Sequence, residues 1–538
     1  MTKLQFSAAL SALLLTNAFA VTPKSGEKLA KDQTFIYNMG AAPGSIDPQL
    51  NSGSAGGHVI TQIFETLINY DDNGKPIPGV AKSWDVSKDL KTWTFHLRDT
   101  KWSNGDKLTA HDFVYAWQRL VDPKTAATYG TFLDYAKVKN VQEIVAGKLP
   151  PSELGVKALD DNTLQVYLNE PVSFADVILG YRVLSPVPKK VIEKYGDQWT
   201  RPENIVVNGP FTIESNTINE KIVLKRNHNY WDDKNIILDK VVMLQVPQEA
   251  TALSRYRAGE LMVSGYPSEL YDKVKREYAK EMFKLTPSLC TYYYQFNTSA
   301  APFDNENVRK ALDISLDRDI IADKVLRVSV LPAYTFAPRI INGAEETKDP
   351  QWAKLSLKDR NAQAIKLLQD AGYSKSKPLK ATLLYNTSEG HKKIAIAATS
   401  IWKKNLGGLV DIKLENQEWK TFLETKRALK YEISRAGWCA DYDDASSFLN
   451  ILRSDDSTND FGYKNKEYDA QIDNAYKAKT AKERAQFYAK AEDKLNEDVP
   501  LVPVYFYAGR PLIKPYVRGY VPNKNGLYYF KDIYILEH

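Results

Sequence analysis

Residues 435 to 442 read Arg-Ala-Gly-Trp-Cys-Ala-Asp-Tyr, which places a cation, an indole, a thiol and a carboxylate in one short run. Such a set suits a small zwitterion. Its ammonium needs an anion and its carboxylate needs a cation once both leave water, because an unpaired buried charge is expensive. The run follows the β-leaning segment Tyr431, Glu432, Ile433 and Ser434, so a strand end with a partly buried ion pair explains the same residues. At this point both readings stand.

Other chemistries find less support. The sequence has no Gly-x-Ser-x-Gly elbow and no His-Glu-x-x-His helix. His391 precedes two lysines and does not form a metal motif. Asp441 and Asp443 could imitate a glycosidase pair, but acids this close in sequence belong more often to turns or solvated faces. No glycine-rich phosphate loop, internal repeat or low-complexity tract appears, and nothing calls for a cofactor. The formal net charge is +6, falling to +5 if Lys3 is removed with a leader, and acids and bases are interspersed. That distribution argues against nucleic acid as the main partner. The 32 Tyr and 10 Trp supply rigid contact area with polar edges, as binding pockets often require.

The first 20 residues have the form of a secretory signal. Lys3 gives a basic start, Ala8 to Leu15 a short apolar stretch, and Ala18 and Ala20 the small residues of a cleavage site. The apolar stretch is too short to span a bilayer, and no cysteine follows it to carry a lipid. The expected mature protein starts at Val21 and is exported and soluble. Cys290 and Cys439 are the only cysteines, and an even count in an exported chain favours a disulfide over two buried thiols. Such a bridge would brace the 435–442 run.

The elements that position this run show in the periodicity. Thr92 to Arg98 alternates as a half-buried strand, and 103–106 is a turn. Thr109 with Asp112 three residues on opens a helix through Phe113, Trp117 and Leu120. A helix is expected over 359–371, with Ala362, Ile365, Leu368 and Ala371 on one face and Gly372 ending it. A strand at 380–385, a helix at 391–406 and a strand at 410–415 then give β-α-β order, hence an α/β lobe in the second half. A polar amphipathic helix over 481–497 and a buried strand over 501–507 complete the pattern.

Segments along the whole mature chain resemble the extracytoplasmic solute-binding proteins of peptide-importing ABC transporters. They include Gly79-Val80-Ala81-Lys82-Ser83-Trp84, Trp102-Ser103-Asn104-Gly105-Asp106, Asn208-Gly209-Pro210-Phe211, Asn416-Gln417-Glu418-Trp419-Lys420 and Gly437-Trp438-Cys439-Ala440-Asp441-Tyr442. The last motif is similar to the oligopeptide-binding branch of the Gram-negative periplasm. The resemblance implies an α/β fold, a two-lobed clamp with a hinge, and an extra α/β domain inserted in the first lobe. Domain I would combine 21–64, 189–289 and 507–538, domain II would be 65–188, and domain III, the opposing lobe, 290–506. It also implies a monomeric, non-enzymatic receptor of short peptides that serves an inner-membrane permease and its ATPases.

By the same resemblance Asp441 holds the peptide α-ammonium, and Cys439 pairs with Cys290. Gly437 and Trp438 form a wall beside the peptide, Trp419 lines the pocket and Tyr129 contacts the peptide backbone. Arg435 and His391 take the peptide carboxylate. Four positions depart from the family pattern. Lys426, followed by Arg427, stands for an arginine, keeping charge without the forked geometry. Leu326 stands for a lysine and Tyr181 for a histidine. Ser52, Gly53 and Ser54 replace an acidic and apolar pair at the mouth of the first lobe. The ammonium end therefore looks retained and the carboxylate end altered, which leaves a murein peptide or another solute such as haem as the alternative ligand. The family's tolerance of many sequences implies strand-like pairing to the peptide backbone, with side chains in hydrated pockets.

Overall fold

The computed structural model describes residues 22–282, 286–327, 330–509 and 511–538, so the expected leader and Val21 lie outside the described residues. Three sheets organise the chain. The first has six strands in the order Leu512–Ile513, Val263–Ser264, Thr34–Asn38, Lys240–Leu244, Lys221–Arg226 and Phe211–Thr217. Thr34–Asn38 runs parallel to Lys240–Leu244. Phe35, Val241 and Met243 are fully buried on one side, as the period of two requires.

Between Thr34–Asn38 and Phe211–Thr217 the chain leaves this sheet and builds a four-stranded antiparallel one. Its order is Ala81–Val86, Thr92–Leu97, Thr163–Tyr167 and Val156–Asp160. The helix Ala110–Val121 packs on it through Phe113, Trp117 and Leu120. It opens as expected, with the Thr109 N–H donating to Asp112 Oδ2 at 2.8 Å. Asp47 fastens this unit to the first sheet's body. Its carboxylate accepts from Arg119 at 2.9 and 2.6 Å and from Trp199 Nε1 at 2.9 Å.

The other six-stranded sheet has the order Leu331–Pro332, Leu501–Gly509, Thr286–Phe296, Ile433–Cys439, Leu379–Asn386 and Val410–Gln417. Its β-α-β unit is the one expected: Leu379–Asn386 and Val410–Gln417 are parallel, joined by the helix Glu389–Asn405. That helix buries Ile394, Ala395, Ala398, Ile401 and Trp402, a stripe at helical spacing. Ser388 caps it by accepting from the His391 N–H at 3.3 Å, which places His391 in the first turn.

The helix expected over 359–371 is Leu357–Asp370, capped by Ser356. Its buried face differs from the expected one. Ala362 is exposed and Ala371 lies past the last turn, while Arg360, Ala364 and Leu368 are buried. The face that packs on the helix Glu306–Ser315 is centred on Ala364 and Leu368, which turns Ala362 outward.

The architecture is thus a two-lobed α/β clamp with an inserted unit in the first lobe. The chain crosses to the second lobe at Thr286 and returns at Gly509. These two residues are paired neighbours on adjacent antiparallel strands. Both crossings lie just outside the 290 and 506 boundaries expected above. The lobes touch on both flanks of the cleft. Lys393 meets Glu269 at 2.6 Å, and Lys524 meets Asp443 at 2.5 Å. Nearer the centre, Thr131 Oγ1 donates to Asp456 Oδ2 at 3.0 Å and Ser457 Oγ to the Thr128 carbonyl at 2.7 Å.

Candidate ligand-binding cleft

A cavity of about 550 Å³ lies between the lobes. The first lobe and its inserted unit supply Ser54, Tyr129 and Arg182. The second lobe supplies Trp419, Lys426, Arg435, Gly437, Trp438 and Asp441. The 435–442 run forms its wall because the strand Ile433–Cys439 continues through it instead of ending before it. On one edge the strand pairs with Thr286–Phe296 along its whole length. On the other it pairs with Leu379–Asn386 only at Ile433 and Ser434. The backbone from Arg435 to Cys439 therefore offers a free edge toward the cavity.

Asp441 follows that strand and is held by two contacts. Its N–H donates to Ser447 Oγ at 2.7 Å, and the Ala440 N–H donates to the Leu289 carbonyl at 2.8 Å. The carboxylate is 5 % exposed. Tyr129 donates a long bond to Oδ1 at 3.4 Å, while Oδ2 has no hydrogen-bond partner among the described residues. Burial pushes this carboxyl up to about 7, against the smaller opposing pulls of Arg182, Tyr181 and Tyr129. A buried carboxylate with an unused oxygen is an acceptor for a cation that brings its own donors.

Arg435 presents the opposite charge. Its Nη2 donates to Tyr507 Oη at 2.6 Å and Nη1 to Asn386 Oδ1 at 3.3 Å, and its guanidinium lies 4.8 Å from the Tyr292 ring centroid. None of these partners is a carboxylate, and Nε has no partner among the described residues. Gly437 keeps the room this needs. A Cβ there would lie 3.0 Å from Tyr507 Oη and 3.3 Å from Arg435 Nη2.

Lys426 has its charge already matched, by Asp460 at 3.1 Å. Arg427 reaches across the cleft to Ser52 Oγ. Trp419 stacks on Phe422 and approaches Gly53 of the other lobe so closely that a Cβ there would lie 3.3 Å from its Nε1. Cys290 and Cys439 are bridged, and they face each other directly in register across the two strands.

Two expected residues lie off the wall. Tyr181 is buried behind Tyr129, ring centroids 5.8 Å apart, and borders a separate small cavity of about 40 Å³. His391 stands behind Arg435, with Nδ1 2.9 Å from the same Asn386 Oδ1 that serves Arg435. A carboxamide oxygen only accepts, so Nδ1 carries the proton. Burial, and then the charge of Arg435, hold the imidazole well below its usual range and therefore neutral. Leu326 packs against the second lobe's core and not on the cavity. Arg182, Asp460 and Tyr507 line the cavity without having been singled out in the sequence; only the neighbour of Arg182, Tyr181, drew attention there.

Two α/β lobes joined by adjacent strands around a cavity with charge receptors of both signs make a solute-binding clamp. The chain belongs to the bacterial extracellular solute-binding proteins, family 5, whose model matches residues 75–460. It is 45% identical over 540 residues to the periplasmic oligopeptide-binding protein OppA of Haemophilus influenzae, covering 100% of this chain and 99% of that one. The crystal structure of that species' OppA in complex with the peptide RPPGFSPFR superposes with a TM-score of 0.92 at 46% identity, covering 95% of this chain and 100% of the other. The Escherichia coli murein tripeptide binding protein MppA, 40% identical, gives a TM-score of 0.92, and an unliganded open form of the periplasmic murein tripeptide binding protein MppA, also 40% identical, gives 0.66. These cover 95% and 96% of this chain, and 100% and 99% of theirs. The lobes here are therefore set as in the peptide complex and not as in the open form. Among the described residues no helix is long and apolar enough to cross a membrane.

Proposed function

We propose that the protein is a periplasmic receptor of a Gram-negative bacterium that captures short peptides between its lobes and delivers them to an inner-membrane ABC importer, without catalysis. The observation that carries this is the pair of unmatched buried charges, Asp441 and Arg435, facing one cavity beside a free strand edge. The peptide α-ammonium docks on Asp441, the backbone adds to the Arg435–Cys439 edge as a strand, and the carboxylate is drawn toward Arg435. Trp438, Trp419 and Tyr129 enclose the chain. Lys426 and Ser54 border the side chains, and Tyr181 backs Tyr129. The three sheets support a division into domain I (22–64, 189–282, 511–538), domain II (65–188) and domain III (286–327, 330–509). Among the described residues no His or Met lines the cavity, which weighs against the haem alternative. Isothermal titration with tri- to pentapeptides, followed by mass spectrometry of the recovered ligand, tests the proposal. Saturable binding with intact peptide recovered supports it, and absence of binding or a cleaved peptide overturns it.

Binding is expected to expel a proton. Asp441 must be ionised to hold an ammonium, and burial has raised its carboxyl to about 7. Affinity therefore falls as pH drops below 7, approaching tenfold per unit. It falls again above about 8, where the peptide amine deprotonates. Calorimetry at pH 6.5 in buffers of different ionisation enthalpy reads the released proton directly. Uptake, or no exchange, would contradict the role given to Asp441.

His391 acts through Asn386. With His391→Ala the Asn386 amide is free to turn its oxygen away from Arg435. Peptides with a free carboxylate should then bind about threefold to tenfold more weakly, while their C-terminal amides change little. Equal losses for both would assign His391 to packing alone.

A further inference from the structure

We propose that Arg182 is a specificity-determining residue that takes the carboxylate of an acidic side chain on the first or second residue of the bound peptide. This rests on the reading that Asp441 holds the peptide amine.

Arg182 lines the interlobe cavity together with Tyr129 and Asp441. Its guanidinium is held from two sides. The Tyr181 ring lies 4.5 Å away by its centroid, and the glycine at 57 admits it so closely that a Cβ there would fall 2.5 Å from Nε. A fork fixed in this way loses little freedom on meeting a carboxylate. Yet among the described residues it has no carboxylate within ion-pair distance and no hydrogen bond to its five N–H groups.

The neighbouring acids do not account for it. Glu65 borders the small cavity behind Arg182, but its oxygens are taken by Tyr230 and Trp231, each at 2.6 Å, and by Asn69 at 2.8 Å. Asp441 is close enough for its charge to act on Arg182, but the two form no ion pair. Were Arg182 simply the counter-charge of Asp441, the flat fork would meet the carboxylate directly. Instead Asp441 Oδ2 has no hydrogen-bond partner among the described residues, and Arg182, on the same cavity wall, meets Asp441 through its charge alone. Of the other cations on the wall, Lys426 is paired with Asp460 and Arg427 bonds Ser52, while Arg435, held by the neutral Tyr507 and Asn386, is the group assigned above to the peptide's own carboxylate. A ligand segment that satisfies both unpaired groups carries an ammonium and a carboxylate a few bonds apart. A peptide with an acidic residue at or next to its free amine has that form.

The test is calorimetric titration of the full protein with Glu-Ala-Ala, Gln-Ala-Ala, Ala-Glu-Ala, Ala-Gln-Ala and Ala-Ala-Ala. At one of the two positions the Glu peptide should bind about tenfold or more tightly than its Gln partner, as expected for a charge-assisted pair out of water. Arg182→Gln should bring that ratio to about one, and Arg182→Lys should leave it in between. A ratio near one at both positions in the wild type overturns the proposal, as does a ratio that survives Arg182→Gln. Equal weakening of Glu and Gln peptides also overturns it and makes Arg182 a support for Asp441. Failure of Ala-Ala-Ala to bind the wild type would instead sink the underlying reading of Asp441. Should Arg182→Gln not fold, the wild-type ratios and Arg182→Lys still decide.

Discussion

Asp441→Asn should weaken binding of free-amine peptides by roughly 30-fold to several thousand-fold, and in the same molecule raise the stability of the unliganded protein. The first effect is the loss of about 2–5 kcal/mol that follows when one partner of a desolvated charge pair is removed. The second has the opposite sign because the carboxyl is raised to about 7 by burial. A group bound to its proton more tightly folded than unfolded contributes nothing unfavourable below the unfolded value near 4. It then costs progressively more as pH rises toward 7, up to about 4 kcal/mol. Thermal melts of the peptide-free variant should therefore show a higher Tm than wild type at pH 7.5 and no gain at pH 4. A variant that loses binding without gaining stability would show that Asp441 is relieved by groups other than a ligand.

Removing the disulfide should separate stability from binding. The bridge closes a separation of 149 residues, so Cys290→Ala with Cys439→Ala should cost about 2–4 kcal/mol against denaturant, below the ceiling of about 5 kcal/mol in the chain-entropy account. Peptide affinity should change only a few-fold. Asp441 is held past the bridge by Ser447 Oγ, the Ala440 N–H by Leu289, and Trp438 Nε1 by the Ser447 carbonyl at 2.8 Å. A large loss of affinity at temperatures where the variant stays folded would mean that the bridge, and not these bonds, sets the wall.

The contrast between local and distant signals explains what could be read in the chain beforehand. Strands and helices with clean periods, such as Thr92–Leu97 and Glu389–Asn405, followed from side-chain spacing, which is a local property. The 435–442 run was legible for the same reason, since its cation, Arg435, and its carboxylate, Asp441, lie six positions apart in one short stretch. Asp460, Tyr507 and Arg182 arrive at the cavity from separate segments, and no spacing in the sequence links them to Asp441. Lys426 was read only as a lysine standing for an arginine, because its partner, Asp460, is brought to it by the fold and not by sequence spacing. His391 was expected to take the peptide carboxylate, but it does not line the cavity, and its Nδ1 bonds the Asn386 oxygen that also serves Arg435. The helix Leu357–Asp370 was found while its face was misjudged, because which side of an amphipathic helix is buried depends on the partner helix that packs there.

The crossing between the lobes has a mechanical meaning. Thr286 pairs with Gly509 and Pro287 with Ala508, so the chain enters and leaves the second lobe at the two ends of one rung of the ladder. Two strand ends paired side by side resist sliding and shear but leave one swing about the line through them. The second lobe then behaves as a door. Its motion grows with distance from that line, so the far rim travels most for a given turn at the ladder. A stiffening change beside the crossing would slow opening and lengthen peptide residence without touching any group that meets the peptide.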